Sequence, residues 1–118
     1  MPVKIVENMQ GSVAVLTIKG KLMGGPEMKE LHDHVKGLIH DGVKRVVIDL
    51  GRVKWLNSSG LGALMGALTT LRGAGGELKL ANASDKIQSL LMITKLMSIF
   101  DTHENVEKAI AAFGEPGE

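Results

Sequence analysis

Two adjacent serines, Ser58 and Ser59, stand between Asn57 and Gly60 in the stretch WLNSSGLGAL, residues 55–64. Hydroxyls at that spacing could attack a substrate, cap a helix or accept a phosphoryl group. A nucleophilic serine needs a base and an orienting acid beside it. The histidines are distant in sequence, and no glycine sits two residues before either serine, so the nucleophile-elbow pattern is absent. The chain is not expected to be an enzyme. A cap needs one polar side chain, which Asn57 or Ser58 could supply to the orphan N–H groups of a helix start. That leaves the second hydroxyl unexplained. A serine acted upon accounts for more: a phosphoryl group there would meet free N–H groups and the positive end of the helix dipole, worth about 0.3 to 1 kcal/mol when exposed. The fold should survive such a modification, whereas a charge of about −2 would oppose a closely docked partner.

Two other groups of residues fall short. His32 and His34, two apart on an expected helix, point away from each other, and His40 lies two turns from His32, so no metal site is expected. Gly60, Gly62 and Gly66 share the spacing of glycines in dinucleotide-binding turns, but six residues separate Leu50 from Asn57 and the chain cannot supply a second nucleotide-binding half. The acidic residue expected further on is only loosely met by Glu77. No cofactor is expected.

The elements that must position the serines follow from periodicity. VKIV and SVAVLTIKG flank a polar turn expected at Asn8 to Gly11 and read as two antiparallel strands. Pro26 suits a first helical position, and Met28, Leu31, Val35, Leu38 and Ile39 recur at helical spacing before Gly42. KRVVIDL is a continuous apolar run closing on Asp49, the pattern of a central strand. Leu61, Leu64, Met65, Leu68 and Leu71 then line one helical face, and ELKLA returns as a strand, which makes a parallel crossover unit. Gly62 and Gly66 lie inside that helix at about 1 kcal/mol each relative to alanine. With Ala63, Ala67 and Thr70 they form a face of small side chains opposite the leucines, suited to packing on the sheet or to docking a partner. Ser84 should cap a short helix that turns Ile87, Leu90, Leu91 and Thr94 inward. MSIF is a candidate edge strand, Val106, Ala109, Ile110 and Phe113 share a final helical face, and the tail GEPGE should fray.

The chain has 118 residues, enough for one core, and a single domain over 1–118 is expected. A net charge of +1, with no run of cations beyond VKR, argues against nucleic-acid binding. No cysteine is present, so disulfides and thiolate chemistry are excluded. The first ten residues lack an apolar signal region and no apolar run approaches the roughly 20 residues of a membrane span, so a cytoplasmic chain without membrane insertion is expected.

VVIDLGRVKWLNSSGLGALMGAL resembles the signature of STAS domains, specifically the bacterial anti-sigma factor antagonists. The likeness continues through VAVLTIKGKL, GAGGELKLANAS and IQSLLMITKLMSIFDTHENVEKAI. It implies an α/β fold, a mixed sheet of about four or five strands covered by about four helices. It implies Ser58 as phosphoacceptor, with Ser59 the second candidate, and a partner surface of Met23, Gly24, Asn57, Ser58, Ser59, Gly60, Leu61 and Gly62. Partner switching is the implied activity: the unphosphorylated chain binds an anti-sigma factor serine kinase and frees a sigma factor, phosphorylation breaks that complex, and a metal-dependent serine phosphatase resets it. Asn57 stands where the family usually has aspartate, and Met23 where many members do. These departures motivate a second reading, a scaffold or regulatory STAS module of a signalling complex or membrane transport system.

Overall fold

A computed structural model describes residues 3–114. Five strands and four helices alternate: β1 (Lys4–Gln10), β2 (Val13–Leu22), α1 (Pro26–His40), β3 (Arg45–Leu56), α2 (Ser58–Gly73), β4 (Glu77–Ala81), α3 (Asp85–Ile93), β5 (Asp101–His103) and α4 (Val106–Ala111). The strands form one mixed sheet in the order β1-β2-β3-β4-β5, with β1 antiparallel to β2 and the other pairs parallel. The expected α/β architecture is the one observed.

Alternation along the strands sends side chains to two faces. Ala14, Leu16, Ile18, Val46, Ile48, Leu78 and Leu80 face α1, α2 and α3, whose Leu31, Val35, Leu64, Leu68 and Leu91 complete the larger core. Removing each such side chain from water favours folding by about 1.5 to 3 kcal/mol. The opposite face carries a smaller cluster of Val13, Val15, Val47 and Ala81, covered by Ala109 of α4 with Val106, Ile110 and Phe113 packed around it.

Four expectations differ from what is observed. The first strand runs through Asn8 to Gln10, and the turn tightens at Gly11, whose φ of +63° suits glycine. Asn8 and Gln10 are exposed residues of an edge strand, where polar side chains imitate a turn in sequence. The central strand does not close on Asp49 but continues to Leu56, because β2 is long enough to pair it as far as Leu22. Register shifts between Thr17 and Lys19 and between Gly20 and Lys21 break its alternation. MSIF forms turns after α3, with Phe100 buried, and the edge strand is the next three residues. Thr94 is the exposed C-cap of α3, its hydroxyl donating to the Leu90 carbonyl at 2.7 Å, rather than an inward residue. The expected fraying of GEPGE falls, past Gly114, outside the described residues.

Candidate functional site

The serines open α2 directly after β3. Asn57 is the N-cap: its Oδ1 accepts from the Gly60 N–H at 2.9 Å, and its carbonyl accepts from the Leu61 N–H at 2.9 Å. The cap is therefore taken by Asn57, and neither serine hydroxyl is needed for it. Both serines are exposed. No acidic residue lies in the first turn of α2.

The β2–α1 loop completes the site. Asn57 Nδ2 donates to the Met23 carbonyl at 2.8 Å, and the Met23 N–H donates to Glu27 Oε1 at 3.1 Å. Gly24, at φ +89°, crosses above Ser59 so closely that a Cβ on it would stand 2.7 Å from the serine Cβ. Ser59 thus lies beside the loop. Gly60 is buried against β2, where any Cβ would overlap the Leu22 carbonyl oxygen. Glycine is the only residue that lets α2 start this close to the sheet.

Of the eight residues expected in a partner surface, Met23, Ser58, Ser59 and Gly62 are exposed, Gly24 and Asn57 partly so, and Gly60 and Leu61 buried. The structure brings the two sequence-distant segments together through the Asn57–Met23 bond and the Gly24–Ser59 approach. Gly62 and Gly66 face solvent with open space where a Cβ would be, so they do not pack on the chain's own sheet. Ala67, expected on the same small-residue face, is instead buried in the core beside Leu68.

Two contributors were not singled out from sequence. Glu27 holds the loop through Met23, and its position one residue after Pro26 was the available signal. Trp55 is 43% exposed, with Lys86 Nζ 4.9 Å from its ring centre. Beside it Leu56, Asn57, Ile87 and Leu90 help line a cavity of about 300 Å³ next to the helix start. Exposed Met23 and Trp55 both neighbour Asn57, the residue before the serines, so the helix start borders apolar surface, as docking surfaces often do. Among the described residues no group of acidic, histidine or cysteine side chains could hold a metal, and no helix is long and apolar enough to cross a membrane.

A model of the STAS domain matches residues 4–109, and the chain belongs to that family, one of non-enzymatic regulatory domains. Among its relatives, BtrV of Bordetella bronchiseptica, provisionally named an anti-sigma factor antagonist, is 32% identical over 85 residues, 72% of this chain and 73% of its own. The anti-sigma-B factor antagonist of Staphylococcus aureus is 31% identical over 78 residues, 66% of this chain and 72% of its own. The crystal structure of an anti-sigma factor antagonist from Mycobacterium paratuberculosis superposes with a TM-score of 0.83 at 19% identity, covering 97% of this chain and 96% of that one. That likeness is one of fold.

Proposed function

We propose that the chain is an anti-sigma factor antagonist switched by phosphorylation of Ser58. Unphosphorylated, it binds an anti-sigma factor serine kinase and so releases a sigma factor. Phosphorylated, it lets the kinase go, and a metal-dependent serine phosphatase restores it. These steps take place in the cytoplasm, with no nucleic acid bound and no membrane inserted, and the ATP and magnesium belong to the kinase.

The observation that carries this reading is the exposed Ser58 hydroxyl at the first residue of α2, left free because Asn57 does the capping. A phosphate there meets helix N–H groups, which preserves the fold, and adds charge to a surface bordered by Met23 and Trp55, which opposes docking. Incubation with the cognate kinase and ATP, followed by mass spectrometry, should place one phosphate on Ser58. Phosphate on neither serine would sink the switch. Ser58→Asp should melt at the wild-type temperature and bind the kinase at least about tenfold more weakly. The scaffold alternative rests on Asn57 and Met23, and recovery of an anti-sigma kinase by co-purification would count against it.

A further inference from the structure

Five cations that are scattered in sequence converge in space. Lys4 of β1 pairs opposite Lys19 of β2, and Lys19 lies opposite Arg52 of β3. With Lys21 and Lys54 they line a depression of about 670 Å³, in which Val53 is the one large apolar side chain. The five occupy the far ends of β2 and β3 and the start of β1, past the residues that α4 covers. No carboxylate lines the depression. Among the described residues, ion pairs tie Lys29, Arg72, Lys79 and Lys108 to acids, but none of these five. Asp49, earlier on β3, does not line the depression, and its Oδ1 already accepts from the Gly51 N–H and Asn82 Nδ2, each at 3.0 Å.

Like charges gathered without partners destabilise a fold, so an arrangement of this kind calls for a counter-charge. We propose that the depression binds a small ligand carrying several phosphate groups. Its volume lies within the range of small-molecule sites. Four of the five cations are lysines, which serve phosphate oxygens as point charges with freely turning donors. The lining has no aromatic ring on which a base could stack, so recognition rests on the phosphates rather than on a nucleobase. This proposal is independent of the Ser58 switch.

Calorimetric titration with tripolyphosphate at near-physiological salt should give saturable binding. Lys19→Ala with Lys54→Ala should weaken it at least about tenfold, because charge-assisted hydrogen bonds are lost. Lys36→Ala with Lys44→Ala, which removes equal charge elsewhere, should leave it unchanged. If the first pair fails to fold, Lys4→Gln with Lys21→Gln, both exposed positions, serves the same purpose. No saturable heat, or equal weakening by the patch and control variants, would overturn the proposal. Octaglutamate binding as tightly as tripolyphosphate would also overturn it and make the depression a dock for acidic peptides. A nucleoside triphosphate should bind no more tightly than tripolyphosphate, and tighter binding would overturn recognition by the phosphates alone. Vesicles bearing phosphoinositide headgroups that bind more tightly than tripolyphosphate identify a lipid-borne source, and vesicles that bind more weakly a free one.

Discussion

Asn57 works with both ends of its amide, one on the helix and one on the loop. An aspartate could accept from the Gly60 N–H equally well, but it has no N–H to give the Met23 carbonyl. Asn57→Asp should therefore keep the cap, lose about 1 kcal/mol or less of stability, and free the segment 23–25. Thermal unfolding together with amide exchange at Met23 checks this; unchanged exchange would show that the loop is held without the asparagine. The capping end of Asn57 was legible in the sequence, because asparagine before an apolar helical repeat is a local signal. The donating end was not, since only the pairing of Leu22 with Leu56 brings residue 23 beside residue 57.

Within α2 two kinds of glycine stand two residues apart. Gly60 touches the Leu22 carbonyl, so Gly60→Ala forces the helix start away from β2 and should destabilise by about 1 to 3 kcal/mol. Gly62 meets open solvent, and Gly62→Ala should stabilise by up to about 1 kcal/mol. Chemical denaturation of the two variants tests the contrast, and a stabilised Gly62→Ala that also binds the proposed kinase less well would assign the bare face to that partner. Helix positions were easy to read, because Leu61, Leu64, Leu68 and Leu71 keep a strict helical spacing. Strand ends were harder. GRVKWL continues β3 although glycine and charges interrupt its apolar run, and only the length of β2 shows that the ladder goes on. The three-residue β5 is held by partners distant in sequence, so MSIF, more apolar and adjacent, drew the expectation instead.

The molecule as a whole should weaken in acid, and Asp101 is one reason. Burial on its own would raise its carboxyl, but the hydrogen bond from Lys79 and the nearby charge of Lys79 and His103 hold it below the usual carboxylate range. A group lowered in the folded state adds stability above its unfolded pKa and loses it as pH falls through the folded value. Unfolding free energy should thus drop below about pH 4, and Asp101→Asn should flatten that decline. At neutral pH the same change should cost about 1 to 2 kcal/mol, since it strips the nearly buried Lys79 of its acid while Asp101 itself is half exposed. Denaturant titrations at pH 7 and pH 3 measure both effects. The gathering of Lys4, Lys19, Lys21, Arg52 and Lys54 is likewise a property of the assembled sheet: in sequence they are isolated charges among strand residues, and a count of net charge averages them away. One sheet also serves two cores of unequal size, since α4 covers its back with six residues on a handful of small aliphatics. Cooperativity is therefore uneven. Lifting α4 would leave Ser58, built on β3 and α2 over the other face, in place. It would also bare the valines of β2 and β3 as a sticky strip, so the species most prone to self-association is one that still presents Ser58.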